Sequence, residues 1–156
     1  MKKLIIVLLI LPLLLKAQIR IKQNRDLNFG QLYPGESKSI LLPTNCTDAD
    51  SNTNLGKVQF DHTRKNKNDT VTVSWTTPDV LSDGAGNIIN FTNQEGWCAD
   101  STTGTVQDIT DWGSGDYTGL GTANKYHNMY FGGSIDIPVN MVPGTYSGTI
   151  SITLTY

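Results

Sequence analysis

The fold class is decided by residues 146–156, which read Tyr-Ser-Gly-Thr-Ile-Ser-Ile-Thr-Leu-Thr-Tyr. Large apolar residues alternate with serine and threonine in this stretch. In an extended chain, Ile150, Ile152 and Leu154 therefore fall on one face and the hydroxyl side chains on the other. This period-two alternation is typical of an antiparallel strand with one face in the core and one in water. We predict such a strand here, with the three aliphatic residues facing inward.

The residues just before this stretch continue the same pattern. Ile135, Ile137 and Val139 alternate with smaller or polar residues. Pro143 and Gly144 then predict a turn, because proline fixes its φ angle and glycine can adopt a positive φ. We therefore predict that residues 134–156 form a β-hairpin or a closely joined pair of strands.

Short alternating segments bounded by Gly, Pro or Asn occur through the rest of the chain, at residues 19–21, 27–29, 37–42, 58–60, 71–75 and 88–91. No window shows sustained helical spacing of apolar residues. Residues 43–54 and 96–128 are rich in Asn, Asp, Gly, Ser and Thr and are predicted to be loops. Many short strands with such punctuation predict an all-β antiparallel sandwich.

The N-terminal residues have the three parts of a secretory signal peptide. Two lysines precede an apolar run at residues 4–15, and the small residue Ala17 stands before a predicted cut at Gln18. The alternative of a membrane anchor is not favoured, because a spanning helix needs about 20 apolar residues. We expect residues 1–17 to be removed and residues 18–156 to form one domain, secreted, periplasmic or on the outer surface of a bacterium.

The charge of this expected mature chain limits its partners. Removal of the leader lowers Lys+Arg from 12 to 9 against 14 acidic residues, so the net charge changes from −2 to −5. An acidic domain lacks the basic patch that binds nucleic acid or anionic lipid. We therefore expect no nucleic acid partner and no membrane insertion after cleavage.

The two cysteines, Cys46 and Cys98, form an even pair in a chain expected to be exported. Such a pair favours a disulfide over the alternative of two free thiols.

Two motifs near the ends of the mature chain resemble those of a known family. Residues 26–30 (Asp-Leu-Asn-Phe-Gly) and 33–35 (Tyr-Pro-Gly) resemble the opening signature of the DUF4402 family. Residues 131–135 (Phe-Gly-Gly-Ser-Ile) and 143–149 (Pro-Gly-Thr-Tyr-Ser-Gly-Thr) resemble its closing signature. The same ending is found in the related spore-coat-U-type, pilin-like secreted domains.

The resemblance implies an immunoglobulin-like antiparallel β-sandwich on the bacterial surface, in a family without an established enzymatic activity. It also implies a character similar to that of fimbrial subunits, and members of that wider group assemble through β-strand exchange. The resemblance thus implies protein partners at the cell surface or self-association. Residues 43–128 match no motif of the family. Because residues 18–25 are short and alternate only at Ile19 and Ile21, we expect them to be the domain's own first strand. We accordingly expect a monomer that folds without a donated strand.

The chain shows no arrangement that predicts catalysis. The histidines His62 and His127 stand outside any recognisable constellation, and residues 112–115 lack the Gly-x-Ser-x-Gly spacing of a nucleophile elbow. We therefore expect no catalytic residue, no enzyme activity and no cofactor.

A calcium site is the one metal-binding hypothesis that the sequence suggests. Asp48, Asp50 and Asn52 stand at alternate positions and would converge three oxygens on Ca²⁺ in a loop. An EF-hand-type loop would also need Gly at Thr53 and Glu at Gln59. The alternative is that these side chains cap turns.

Aromatic residues are concentrated between residues 96 and 131. The candidates for stacking on a sugar are Trp97, Trp112 and Tyr117. The alternative, which we favour, is that these rings pack beneath the loops. Two function classes follow: a fimbria-like structural or surface-assembly domain, and a glycan- or surface-ligand-binding module that uses residues 96–131.

Overall fold

The computed structural model describes residues 19–62, 70–98, 104–110, 113–118 and 127–155. The expected signal peptide at residues 1–17 and the candidate Trp112 lie outside these ranges. Within them, the chain forms ten β-strands and one short helix. The prediction of an all-β protein is confirmed.

The strands are β1 (Ile19–Arg25), β2 (Ser37–Ile40), β3 (Gly56–His62), β4 (Thr70–Thr76), β5 (Val80–Ser82), β6 (Ile88–Cys98), β7 (Gln107–Asp108), β8 (Ser114–Thr118), β9 (His127–Asp136) and β10 (Ser151–Thr155). Helix α1 (Cys46–Ser51) lies between β2 and β3.

The strands form two sheets. The larger sheet has the order β1-β3-β9-β6-β5, with β2 also pairing with β9 and β7 with β6. The smaller sheet has the order β10-β4-β8. Every pairing is antiparallel. This arrangement is consistent with a β-sandwich.

The core between the sheets is built by the alternating residues of β4 and by one face of β9, a strand that is buried on both faces. Val71, Val73 and Trp75 are buried on β4, while the residues between them are only partly covered. They pack in one cluster with Met129 and Phe131 of β9. Because alternate side chains of a strand point to opposite faces, one apolar face of each strand is enough to build this layer.

The C-terminal strand, β10, buries the face that was predicted, but it pairs with a different strand from the one expected. Ile152 and Leu154 are half-buried against the core cluster, and Ser151, Thr153 and Thr155 are exposed. The predicted alternation of β10 is thus confirmed.

The predicted hairpin over residues 134–156 is wrong. β9 belongs to the larger sheet, whereas β10 pairs with β4 in the smaller one, with Ile152 opposite Trp75. Residues 137–150 cross between the sheets, and Val139 is 84% exposed on this connection. A strand with one apolar face buries that face against the inner face of a second sheet. Placing β9 and β10 in different sheets lets their apolar faces pack toward each other.

Three further segments differ from expectation. Residues 27–29 are not a strand, although Phe29 still packs in the core. The predicted loop at 43–54 contains α1, which Asn45 caps by accepting a hydrogen bond from the backbone N–H of Asp48. The predicted loop at 96–128 contains the end of β6, the strands β7 and β8, and the first residues of β9.

The expectation that residues 18–25 include the domain's own first strand is confirmed for β1. This strand pairs with β3 from Ile19 opposite His62 to Arg25 opposite Lys57, with one irregularity near its end. It forms one outer strand of the larger sheet.

Candidate functional site

An open, mainly apolar groove lies on the side of the molecule where β1 and β10 are the outer strands of their sheets. Its volume is about 1280 Å³. Residues from both sheets line it, including Ile21, Val58, Phe131, Ile150 and Ile152. The groove therefore lies between the two sheets, and core side chains form its walls.

The outer edge of β10 presents backbone groups beside this groove. The Trp75 N–H donates to the Gly113 carbonyl oxygen at 2.8 Å, so the backbone groups of Trp75 are directed toward β8. Ile152 lies opposite Trp75 in the β4–β10 pair. Two residues that lie opposite each other in an antiparallel pair direct their backbone groups either toward each other or both outward. Because the groups of Trp75 point toward β8, those of Ile152 point away from β4. Those of Leu154, two residues further along the strand, point the same way. No strand of the described ranges pairs with this edge.

Exposed apolar side chains also border the groove. Ile21 on β1 is 44% exposed, and Tyr33 and Val142 are exposed at 63% and 51%. These three residues all line the same apolar groove.

Helix α1 holds β1 in place at one end of the groove. The Arg25 guanidinium donates to the Asp50 carbonyl oxygen at 2.7 Å and to the Ala49 carbonyl oxygen at 3.2 Å. These two carbonyls lie near the C-terminal end of α1, where a cation is favourable. The last residue of β1 is therefore fixed to the helix as well as to β3.

The disulfide in turn fixes α1 to the larger sheet. Cys46, the first residue of α1, is bonded to Cys98, the last residue of β6, with their Cα atoms 6.0 Å apart. Both cysteines are buried. The predicted disulfide is thus present.

The Asp50 carboxylate completes the attachment of α1. It accepts hydrogen bonds from the Lys57 ammonium and, at 3.1 Å, from the Tyr130 hydroxyl. Burial alone would raise the pKa of Asp50, but the bond and charge of Lys57 outweigh it and hold that pKa below its ordinary value. Burial, and the charge of Asp50 beside it, raise the pKa of Tyr130.

The three calcium candidates have partners within the chain. Asp48 accepts a bond from the Asn45 amide at 2.7 Å, Asp50 faces Lys57, and Asn52 is the C-terminal cap of α1. The three candidates do not converge, because residues two apart on a helix point to different sides. In the part of the chain that the structure describes, no group of three or more His, Cys, Asp or Glu residues could hold a metal ion.

The aromatic candidates separate. Trp97 is 3% exposed, and its ring lies 5.3 Å from that of Phe60 and 5.5 Å from that of His127. Trp97 therefore packs in the core, as in the alternative that we favour, and has no free face for a sugar. Tyr117 is on β8, but its side chain is not among those described, and Trp112 lies outside the described residues. Their stacking roles stay predictions.

Two of the buried polar residues, His127 and Glu95, contact core side chains. His127 is buried against Trp97. Glu95 is buried on β6 and accepts hydrogen bonds from the Trp75 indole N–H and, at 2.7 Å, from the Asn93 amide. The bond from Trp75 on β4 to Glu95 on β6 joins the two sheets of the core. His62 ends β3, and its side chain is not described.

The sequence alone did not reveal the groove or the Arg25 contact. Both depend on which strands become neighbours, and alternation within a strand carries no such information. Helix α1 did have a local signal, Asn45 followed three residues later by Asp48, which is a capping arrangement.

Antiparallel strands in two sheets, a tethered helix and an open apolar groove define an all-β domain with the arrangement of a β-sandwich. A family model described as "Domain of unknown function (DUF4402)" matches residues 19–156, and the chain belongs to this family. No curated protein and no solved structure matches the chain. Among the residues described, no helix is long and apolar enough to span a membrane.

Proposed function

We propose that this chain is an exported, non-catalytic structural or surface-assembly domain of the bacterial envelope, similar in character to fimbrial subunits. The observation that carries the proposal is the outer edge of β10, which pairs with no strand of the described residues and lies beside an apolar groove. An edge of this kind is a template for pairing with another chain. A domain that only needed to stay soluble would be expected to cover or charge it.

Two features of the chain support export. Residues 1–17 have the pattern of a signal peptide. The Cys46–Cys98 disulfide suits an oxidising compartment outside the cytoplasm. The closing motif at residues 143–149, which resembles that of pilin-like secreted domains, agrees with a role in assembly.

The proposal is tested in the source cell with an epitope-tagged full-length chain. We expect the tag at the cell surface in fractionation and immunogold electron microscopy, in particles larger than a monomer. A variant without residues 1–17 is the matched control and should remain in the cytoplasm. A tag that stays cytoplasmic in the full-length chain, or that is exported only as free monomer, would contradict the proposal.

The second function class, glycan or surface-ligand binding through residues 96–131, keeps two of its three aromatic candidates. Trp112 and Tyr117 are untested, whereas Trp97 is part of the core. A glycan array with the exported chain separates this class from the first.

A further inference from the structure

We propose that the exposed hydroxyl groups of β10, on Ser151, Thr153 and Thr155, are sites of O-linked glycosylation. The group that they take is a sugar, transferred from a phosphate-activated donor. The inference rests on the export in the proposed function, because the sugar is expected on the exported chain, and it does not depend on assembly at the β10 edge.

The outer face of the smaller sheet is a surface of hydroxyl side chains in the part that the structure describes. Alternate residues of paired strands share a face, so the residues opposite the β10 hydroxyls lie on this same face. Its described members are Ser151, Thr153 and Thr155 of β10, Thr72, Ser74 and Thr76 of β4, and Ser114 of β8. Hydroxyl groups are therefore the attachment points that this face offers.

The three hydroxyls of β10 are accessible. Ser151, Thr153 and Thr155 are all exposed, and β10 is an outer strand of its sheet, where a modifying enzyme can reach it. Elsewhere a hydroxyl has a structural partner, as when the Ser39 hydroxyl bonds that of Ser134 at 2.8 Å. Within the described residues, no such side-chain bond involves the three β10 hydroxyls. Their oxygens are available to react.

The two outer strands on this side of the molecule differ in charge. β1, at the edge of the larger sheet, carries Arg20, Lys22 and Arg25. β10 and its neighbour β4 contain no charged residue, and none occurs between residues 137 and 156. Charged side chains are a common protection of an outer strand against unspecific association. β1 has this protection in its own sequence, and β10 lacks it.

The composition of β10 makes added protection necessary. Residues 150–155 (Ile-Ser-Ile-Thr-Leu-Thr) combine high β-propensity with no charge, no proline and no glycine, which is the signature of a segment that stacks sheet on sheet. Stacked sheets lie about 10 Å apart, a gap that a sugar on the hydroxyl face would fill. The side chains stand perpendicular to the sheet, whereas the edge N–H and C=O groups lie in its plane. A sugar on this face thus prevents stacking and leaves the β10 edge open.

The transfer is a substitution at the anomeric carbon of the donor sugar. The hydroxyl oxygen of Thr153, for example, forms a bond to that carbon. The bond from the carbon to the donor's phosphate oxygen breaks, and the phosphate leaves with the electron pair. The hydroxyl proton passes to a general base of the transferase, which is a separate enzyme. The step involves no oxidation or reduction.

Intact-mass spectrometry of the chain recovered from the source cell tests the proposal. Residues 18–156 with one disulfide define the unmodified mass. We expect species that are heavier by whole sugar residues. Fragmentation that preserves the linkage should place the sugars on Ser151, Thr153 or Thr155, and mild alkali should release them by β-elimination, to which an N-linked sugar is resistant.

A matched pair of variants locates the modification. The triple variant Ser151→Ala, Thr153→Ala, Thr155→Ala should have the unmodified mass. The control Ser37→Ala, Ser39→Ala removes two exposed hydroxyls from β2 of the larger sheet and should keep the added mass of wild type. Urea unfolding establishes that each variant is folded, and site mapping on the wild-type chain does not depend on either variant.

A chain without residues 1–17, kept in the cytoplasm, distinguishes two sources of the sugar. We expect this chain to be unmodified, which would indicate a lipid-linked donor outside the cytoplasm. The same sugar on the same residues of the cytoplasmic chain would support the site and indicate a nucleotide-linked donor.

Three results would overturn the proposal. They are an exported chain with the unmodified mass, sugars that map only to other residues, and a triple variant that keeps the added mass. An exported chain without sugar would reject glycosylation and leave the proposed function intact, whereas a full-length chain that stays unmodified in the cytoplasm would reject both.

Discussion

Removal of the disulfide is the perturbation with the largest effect that the structure allows us to work out. The double variant Cys46→Ala, Cys98→Ala opens a covalent loop whose ends are 52 residues apart in sequence. In the chain-entropy model, freeing a loop of this length in the unfolded state lowers the free energy of unfolding by about 4 kcal/mol. Both sulfur atoms are buried, so a small cavity adds to this loss.

The structure also predicts where the loss acts. The disulfide holds α1 on β6, and the last turn of α1 holds Arg25 of β1. Without the covalent bond, α1 is a helix of six residues that is too short to be stable by itself. We therefore expect amide exchange to accelerate in α1 and at the end of β1 more than in β9.

The assay is equilibrium unfolding in urea. With a slope of about 2 kcal/mol/M, a loss of 4 kcal/mol moves the midpoint down by roughly 2 M. Wild-type protein treated with a reducing agent should show a similar shift, and the double variant should not respond to that agent. Two alkylatable thiols in native protein, or a change below about 1 kcal/mol in the double variant, would refute this reasoning.

Three other predictions concern single residues. Ile152→Ala should lower the free energy of unfolding by about 1–3 kcal/mol, because Ile152 packs against the core. Thr153→Ala should lower it by less than about 0.5 kcal/mol, because Thr153 is exposed. Equal losses in urea unfolding would contradict the register of β10. The pKa of Asp50 is lowered below its ordinary value of 3.8 in the folded state, so its contribution to stability is present above that pH and is lost as the pH falls through the folded value. Thermal unfolding between pH 2 and 5 should therefore depend less on pH in Asp50→Asn than in wild type, and identical curves would show that the Lys57 contact is not made. Trp112→Ala should lower the melting temperature if the ring packs, as we expect, whereas an unchanged melting curve with lost binding on a glycan array would favour the ligand-binding class.

The parts of the fold that were predictable from sequence are those with a local cause. Ile152 and Leu154 face the core because alternation itself assigns the two faces of a strand. The pairing of Cys46 with Cys98 followed from their number and from the expected compartment.

The parts that were not predictable depend on contacts between distant segments. The hairpin over residues 134–156 failed because alternation does not say which strand is the neighbour, and β4 supplied a better partner for β10. Trp97 was expected to pack beneath a loop or to stack on a sugar, because its segment is rich in loop-forming residues, yet it is buried near the end of the strand β6. The calcium candidates were expected in a loop, yet capping by Asn45 starts a helix there and places Asp48 and Asp50 on it.

The most direct test of assembly through the β10 edge is amide hydrogen exchange over residues 151–155. It should be measured on chain recovered from the cell surface and on purified monomer. In the monomer, the N–H groups of Ile152 and Leu154 point outward and should exchange fast, whereas those of Ser151 and Thr153 are paired with β4 and should be protected. In surface-derived material we predict that Ile152 and Leu154 become protected as well. Fast exchange at these two amides in assembled protein would contradict the account.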